Sequence, residues 1–150
     1  MIVNWNAGLL LQECVESVIR YSAGLVGKVV IADNASSDGS VKLVTDYEDV
    51  TLVESKTNLG FGRACNLGAS YSDCEFILFL NPDARVYSAT LKDVLAFMGE
   101  SGNTNIGICG VQLEDEDGNI ARSSSRSPSV IGFLCNSTGL DKIFPSLGNT

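Results

Sequence analysis

Three polar segments of the chain hold residue types that could bind a charged ligand, and each one follows or adjoins an apolar run. Carboxylate and amide groups can accept hydrogen bonds from a nucleobase or a ribose, or bind a hard cation. Glycines at a helix N-terminus allow the backbone to approach an anion closely. The segments read DNASSDGS over residues 33–40, NLGFGRACNLG over residues 58–68 and NPDAR over residues 81–85.

The first segment offers a carboxylate fixed at the end of a predicted strand. Asp33 follows its apolar run directly, so its side chain is placed to accept a hydrogen bond from a nucleobase N–H or a ribose hydroxyl. Ser36 and Asp38 either add polar contacts or, together with Ser40, only cap the helix that follows. Both interpretations stay open from the residues alone.

The third segment follows the most apolar run in the chain and contains a candidate metal ligand. Asp83 could bind Mg²⁺ or Mn²⁺, because these cations are held by one or two carboxylates together with phosphate oxygens. Asn81, Pro82 and Asp83 also form an ordinary Asn-Pro-Asp turn, which needs no ligand.

The second segment is rich in glycine at the start of a predicted helix. Its Arg63 is the natural candidate to contact a base or a phosphate, because a guanidinium group matches both. The spacing of the glycines matches neither the GxGxxG nor the Walker A fingerprint. On its own, this segment therefore predicts no particular ligand.

The elements that must position these segments alternate between β and α patterns. Apolar runs typical of strands buried on both faces of a parallel sheet lie at residues 28–32, 50–54, 75–80 and 106–111. Amphipathic spacing predicts helices over residues 9–21, 40–47, 62–70 and 90–99. This alternation predicts a doubly wound α/β fold, in which ligands bind at the carboxyl ends of the strands.

The pattern changes after residue 111. The pair Asp117-Gly118 is a strong turn signal and predicts a hairpin over residues 113–120. A polar loop over residues 123–128 and a short helix over residues 129–138 are expected to follow, with Gly139 ending the helix. The acidic residues 114–117 are read as a solvated turn.

Composition excludes several classes of function. The formal net charge of -8 argues against nucleic acid as a partner, because nucleic-acid binding rests on basic residues. The absence of histidine excludes His-based zinc sites and Ser-His-Asp triads. The 5 cysteines form no CxxC pair, which favours reduced thiols in a cytoplasmic protein. No apolar run reaches the ~18 residues of a transmembrane segment, and no signal-peptide pattern is seen.

Taken together and in order, these motifs resemble family 2 glycosyltransferases. The first predicted strand ends in NWN at residues 4–6, and the DNASSDGS, NLGFGRACNLG and LNPDA motifs follow in sequence. The similarity is greatest to the rhamnosyltransferase-like branch, which GVQLEDEDGN at residues 110–119 and RSSSRSPS at residues 122–129 also fit. The resemblance covers essentially the whole chain. It implies the GT-A fold: a mostly parallel, doubly wound sheet with a C-terminal hairpin, here truncated.

The resemblance assigns roles to individual residues. Asp33 matches the aspartate that contacts the nucleobase, and the end of the first strand lines the nucleotide pocket. Asp83 matches the last carboxylate of the Asp-x-Asp metal motif, and Asn81 stands where that motif has its first aspartate. The change removes one formal charge and weakens the expected affinity for Mg²⁺ or Mn²⁺. The donor-binding residues implied are Asn4, Trp5, Asn6, Asp33, Ser36, Asp38, Asn58, Gly60, Arg63, Asn66, Asn81 and Asp83.

The reaction implied is an inverting transfer from a dTDP- or UDP-linked sugar to a glycan or lipid-linked acceptor. A carboxylate base deprotonates the acceptor hydroxyl, and the metal offsets charge on the leaving nucleoside diphosphate. In the family this base belongs to a Glu-Asp motif in the acceptor-binding half. No catalytic residue is identified in this chain, so the base is expected downstream. Arg122 and Arg126 are read as surface residues.

Two alternatives remain beside this prediction. One is a non-catalytic nucleotide-binding fragment of such an enzyme, and the other is a protein similar to the sugar nucleotidylyltransferases. The start and the end of the chain, both abrupt, predict that residues 1–150 are a single nucleotide-sugar-binding domain without its acceptor-binding half. Apolar surface left uncovered by that half predicts a homodimer. The expected location is cytoplasmic, at the inner face of the membrane.

Overall fold

A computed structural model describes residues 1–22 and 24–121. Its contacts divide the chain into two compact units, Met1–Gly107 and Ile108–Thr150. The polar loop and the helix predicted over residues 123–138, together with Arg122 and Arg126, lie outside the described residues. That residues 1–150 form a single domain stays a prediction.

A parallel sheet of three strands forms the centre of the first unit. The strands are β1 (Ile2–Asn4), β2 (Val29–Asp33) and β3 (Val50–Glu54), in the spatial order β1-β2-β3. Asn4 is in register with Asp33, and Asp33 with Glu54. The carboxyl ends of β1 and β2 are therefore level, and the polar residues that follow them emerge side by side.

Three α-helices pack with the sheet, and the first and third begin and end at the residues that the amphipathic spacing predicted. They are α1 (Leu9–Tyr21), α2 (Phe61–Ala69) and α3 (Thr90–Gly99). α2 begins and ends one residue before its predicted bounds. A short 3-10 turn, Ser101–Asn103, follows α3.

The helix predicted over residues 40–47 is wrong: only a 3-10 turn, Ser40–Leu43, is formed. It begins after Gly39, whose φ of 81° is left-handed and suits glycine. β-Branched residues at Val41, Val44 and Thr45 lose side-chain freedom in an α-helix. After this single turn, Val44 is already buried in the hydrophobic core, so a longer helix is not needed to bury it.

The strands predicted over residues 75–80 and 106–111 are not formed as such. Residues 75–80 make one parallel bridge, between Leu80 and Ile2, supported by a hydrogen bond from the Leu80 N–H to the Met1 carbonyl oxygen at 3.0 Å. Phe76 to Phe79 are 37–52% exposed. The apolar run predicted a strand buried on both faces, but only Leu80 pairs with β1, and the Leu78 carbonyl oxygen accepts from the Met1 ammonium group instead.

The core shows that helices cover both faces of the sheet. Ile2 and Ile31 pack in one cluster with α1 residues such as Leu11 and Val15. Val3, the neighbour of Ile2, packs in a second cluster, with Ala64 and Cys65 of α2. Because successive residues of a strand point to opposite faces, α1 and α2 lie on opposite sides. The doubly wound arrangement is thereby confirmed.

The second unit contains the predicted hairpin. β4 (Leu113–Glu114) and β5 (Ile120–Ala121) pair antiparallel, with Leu113 opposite Ala121. Gly118 has a φ of 79°, a turn conformation that favours glycine. The backbone N–H groups of Asp117 and Asn119 donate to Asp115 Oδ1, and the bonds from Asn119 lower the pKa of the Asp115 carboxyl. The acidic run thus closes its own turn, as the solvated interpretation predicted.

Candidate functional site

An open cleft of about 520 Å³ lies at the carboxyl ends of β1 and β2. It is bordered by the residues that follow β1, the residue that follows β2, the segment before α2 and the segment after Leu80. This is the edge at which open α/β sheets bind their ligands. Its lining consists of Val3, Trp5, Ala7, Leu10, Asn34, Asn58, Phe61, Asn81, Pro82 and Asp83.

A buried hydrogen-bond network lies beneath the cleft and joins β1 to the loop after β2. The side-chain amide nitrogen of Asn4 lies 2.8 Å from Asp33 Oδ1, 3.0 Å from Ser36 Oγ and 2.8 Å from Ser40 Oγ. The Ser36 N–H donates to Asp33 Oδ2 at 3.0 Å. Asn4 is 0% and Asp33 4% exposed, and neither lines the cleft. Asn4 and Asp33 therefore hold the loop after β2 from beneath the cleft.

The same loop is tied to the residues between β1 and α1 by exposed hydrogen bonds. Asp38 Oδ2 accepts from the Gly8 N–H at 2.8 Å, while Asp38 Oδ1 accepts from the Ser40 N–H and hydroxyl. The Ser37 N–H donates to Asn6 Oδ1 at 2.8 Å. The bonds from Ser40, with a smaller contribution from Gly8, lower the pKa of the Asp38 carboxyl. Asp38 and Asn6 thus connect two loops and do not line the cleft.

Asn34 was missed in the sequence analysis, although it lines the cleft. Its Nδ2 donates to Asn58 Oδ1 at 2.9 Å, and its Oδ1 accepts from the Leu59 N–H at 2.7 Å. Asn58 Oδ1 also accepts from the Gly60 N–H at 2.8 Å. The residue follows Asp33, whose carboxylate is the stronger signal for a ligand in the sequence. No feature of the local sequence marks an asparagine whose partners lie 24–25 residues away.

Two large aromatic side chains border the cleft and are open to solvent. Trp5 is 59% exposed and Phe61 60% exposed. Water-exposed rings of this size offer flat apolar faces on which planar or apolar parts of a ligand can pack. Trp5 was among the predicted site residues. Phe61 was missed, although its position between two glycines, where nothing in a helix pattern requires an aromatic residue, was a usable signal.

The segment after Leu80 is held to α1 mainly through its backbone. The Cys14 thiol donates to the Asn81 carbonyl oxygen at 3.4 Å, and the Val86 N–H donates to Ser17 Oγ at 3.1 Å. Arg85 pairs with Glu13 of α1. Burial raises the pKa of the Cys14 thiol to about 12, so this sulfur is a neutral thiol at neutral pH and an unsuitable cation ligand.

The Asp83 side chain is exposed at the edge of the cleft. No hydrogen bond or ion pair to its carboxylate is found within the described residues, and these residues contain no group of three or more His, Cys, Asp or Glu side chains that could hold a metal. Asp83 and Asn81 line the same cleft. One carboxylate and one amide fit Mg²⁺ or Mn²⁺ only when phosphate oxygens complete the coordination.

Arg63 and Asn66 lie apart from the cleft lining. Both are exposed on α2, and Arg63 Nε donates to the Leu59 carbonyl oxygen at 2.9 Å. Of the twelve predicted donor-binding residues, the cleft lining brings together Trp5, Asn58, Asn81 and Asp83. The remainder lie beneath the cleft, in the loops beside it or on α2. Within residues 1–22 and 24–121, no helix has the length and apolarity of a membrane span.

Comparison with known proteins places the chain in a family. The profile of Glycosyl transferase family 2 matches residues 1–147. The minor teichoic acid biosynthesis protein GgaB of Bacillus subtilis (strain 168) is 30% identical over 104 residues, which are 66% of this chain and 12% of that protein. The N-acetylglucosaminyl-diphospho-decaprenol L-rhamnosyltransferase of Mycobacterium tuberculosis (strain ATCC 25618 / H37Rv) is 30% identical over 115 residues, 69% of this chain and 37% of that protein.

Solved structures agree with this result. S. aureus TarS 1-349 superimposes with a TM-score of 0.59 and 25% identity over 65% of this chain and 30% of that one. The mannosyltransferase PcManGT from Pyrobaculum calidifontis, in complex with GDP-Man and Mn²⁺, has a TM-score of 0.60 at 22% identity over 67% of this chain and 31% of that one. The chain therefore spans well under half the length of these proteins. Its α/β fold is of the GT-A type, and the chain belongs to glycosyl transferase family 2.

Proposed function

We propose that this chain binds the nucleoside-diphosphate sugar of an inverting glycosyltransferase that acts on a glycan or lipid-linked acceptor. One observation carries the proposal: a single cleft brings together the ends of β1 and β2, the start of α2 and the Asp83 carboxylate. An elongated, part aromatic and part anionic ligand has complementary groups along such a cleft. The family membership supports the same reaction class.

The nucleotide end of the donor would lie over the loops that follow β1 and β2. Trp5 and Phe61 supply exposed rings, and Asn58 supplies an exposed side-chain amide at the cleft wall. Asp33 stabilises the loop from beneath through Asn4 and the Ser36 N–H. Contact between its carboxylate and the nucleobase would need access that a side chain 4% exposed does not offer in this conformation.

The diphosphate end would lie beside Asn81 and Asp83. These two residues would hold Mg²⁺ or Mn²⁺ together with the phosphate oxygens, and the cation supplies charge neutralisation for the leaving nucleoside diphosphate. The exposed Asp83 carboxylate has its oxygens available for this role. Mn²⁺ in the complex of the structurally similar mannosyltransferase supports a divalent cation in this fold.

The remaining parts of the proposal concern the whole protein. The donor is dTDP- or UDP-linked, the base that deprotonates the acceptor lies outside this chain, and the enzyme works on the cytoplasmic side at the inner face of the membrane. A homodimer is part of the proposal, supported by the exposed side chains of Phe76 to Phe79. Sedimentation velocity tests the last point, because a chain that stays monomeric at high concentration contradicts it.

Calorimetric titration of the 150-residue chain with UDP and with dTDP, each with and without Mn²⁺, tests donor binding. We expect one nucleotide to bind in the presence of Mn²⁺ and to bind roughly tenfold more weakly without it, the size of one lost charge-assisted interaction. Asp83→Asn should reproduce this loss in the presence of Mn²⁺. The matched control is Asp73→Asn, the same change at an exposed carboxylate outside the cleft.

The two alternatives have different outcomes. A folded chain that binds neither nucleotide contradicts a donor site. Nucleotide binding by the chain combined with a whole protein that transfers no sugar favours the non-catalytic reading. Formation of a nucleotide sugar from a nucleoside triphosphate and a sugar phosphate would favour a nucleotidylyltransferase.

A further inference from the structure

We propose that Asn34 is a positioning residue for the donor, which fixes the segment before α2 from the end of β2. The inference rests on the function proposed above and adds a residue of the DNASSDGS motif that the predicted donor-binding residues did not include. Asn34 is 3% exposed, so it offers almost no surface to a ligand. Its effect must pass through the groups that it holds, Asn58 and the Leu59 and Gly60 backbone.

The hydrogen bonds around Asn34 connect three parts of the cleft wall. Its own N–H donates to the Asn4 carbonyl oxygen at 2.8 Å, at the end of β1. Its side chain reaches Asn58 at 2.9 Å and the Leu59 N–H at 2.7 Å. One residue thus joins the end of β1, the end of β2 and the start of α2.

The pattern of donors and acceptors requires an amide at this position. Among the described residues, Asn34 Oδ1 is the acceptor found for the Leu59 N–H, so Asn34 Nδ2 faces Asn58. Asn58 in turn presents its oxygen, because the Gly60 N–H donates to the same atom. Both side-chain amides are therefore oriented by backbone groups. An aspartate would keep the bond from Leu59 but place a second acceptor against Asn58 Oδ1.

The position of this segment matters for a ligand because Asn58, at its start, and Phe61, directly after it, both line the cleft. A loop fixed before the ligand arrives loses less conformational freedom on binding than one that must be ordered. Loss of the clamp is therefore expected to weaken donor binding without removing any group that contacts the donor.

The test is Asn34→Asp in the 150-residue chain, titrated with the nucleotide that the unsubstituted chain binds, in the presence of Mn²⁺. We expect the Kd to rise roughly tenfold, because one hydrogen bond is lost and two oxygen atoms face each other in its place. The matched control is Asn105→Asp, which makes the same change of amide to carboxylate at an exposed residue outside the cleft. An unchanged Kd for Asn34→Asp, with the unsubstituted chain binding normally, overturns the inference and leaves the proposed function intact.

A double substitution separates positioning from a general loss of structure. If Asn34 acts through Asn58, then Asn34→Asp should change the Kd little in a chain that already carries Asn58→Ala. Full additivity of the two changes contradicts the inference. If the unsubstituted chain binds neither nucleotide, the proposed function fails and this inference fails with it.

Hydrogen exchange of the unsubstituted, ligand-free chain gives a measurement that needs no variant to fold. The Leu59 and Gly60 amides, which donate to the two asparagine side chains, should exchange at least tenfold more slowly than the Gly62 amide, for which no hydrogen bond is found among the described residues. Exchange of Leu59 and Gly60 at the rate of an unprotected loop would show that the clamp does not hold and would overturn the proposal.

Discussion

The loops that follow β1 and β2 and the segment after Leu80 border the same cleft, but they are held in opposite ways. In the first region, side chains bond to one another: Asn4 to Asp33, Ser36 and Ser40, and Asn34 to Asn58. In the second, most bonds to α1 use the backbone: the Cys14 thiol donates to the Asn81 carbonyl oxygen and the Val86 N–H donates to Ser17 Oγ, beside one ion pair between Arg85 and Glu13. The Asp83 carboxylate has no partner within the described residues.

The two regions therefore differ in what fixes their side chains: hydrogen bonds made on folding in the first, and, for the Asp83 carboxylate, a bound ligand in the second. The first region pairs most of its side-chain polar groups with one another, and Asn4 Oδ1 is the buried side-chain atom left without a partner among the described residues. Its shape is therefore set mainly by folding and should contribute to stability. The second region pairs Arg85 with Glu13 but leaves the Asp83 carboxylate to the solvent, so the order of that side chain depends on what binds there. A change in the first region should therefore appear in unfolding experiments, and a change in the second in binding experiments.

Asn4→Ala should produce the largest effect, because it removes three contacts in the first region and leaves the buried Asp33 carboxylate short of a donor. We expect the free energy of unfolding to fall by about 2–4 kcal/mol in urea denaturation. Asn103→Ala is the control: its Nδ2 also donates to two acceptors, but at the surface, so the loss should stay below about 1 kcal/mol. Equal losses in the free energy of unfolding would mean that the buried hydrogen bonds of Asn4 stabilise the fold no more than those of a surface asparagine.

Asn81→Asp tests the second region, where a change is expected to alter binding and not stability. A second carboxylate in the cleft lining completes a pair of anionic ligands, and we expect Mn²⁺ affinity in the presence of nucleotide to rise roughly tenfold. The bond from Cys14 is to the backbone of residue 81, so stability should change by less than about 0.5 kcal/mol. Manganese titration followed by electron paramagnetic resonance measures the affinity. An unchanged value would place the cation elsewhere.

Asp38→Asn probes the charge in the first region through pH. The bonds from Ser40 and Gly8 hold the pKa of this carboxyl below its ordinary value of 3.8. Its contribution to stability is therefore present above that value and is lost as the pH falls through the lower folded-state pKa. We expect the variant to have a lower Tm at pH 7, with the difference from the parent closing below about pH 3.8. A difference that is constant with pH would contradict a role for the charge.

Ala35→Gly should have the smallest effect and the opposite sign. Ala35 has a φ of 64°, a left-handed conformation that strains a residue with a Cβ. We expect a gain of about 0.5–1 kcal/mol in the free energy of unfolding. The control is Ala96→Gly on the exposed side of α3, which should cost about 1 kcal/mol. A loss at both positions would show that the first loop is not strained at Ala35.

Much of the fold could be predicted because its signals are local. The spacing of apolar residues determined α1 and α3, and the buried runs determined β2 and β3. The pair Asp117-Gly118 determined the hairpin turn. The same rules failed at residues 40–47 and 75–80. In those places the outcome depended on a packing partner, and a run of residues does not show how many partners its backbone and side chains will find.

The candidate site was predicted in its motifs but not in its contacts. The sequence by itself determined that Asp33, Asn58 and Asp83 follow apolar runs or precede a helix, because strand and helix ends can be recognised locally. Only the tertiary structure decided that Asp33 lies beneath the cleft on Asn4, 29 residues away, that Arg63 and Asn66 lie outside the cleft lining, and that Asn34 clamps its wall. Hydrogen bonds depend on distances in space. The register of β1 against β2 and the position of α2 set those distances, and both result from packing of the whole sheet.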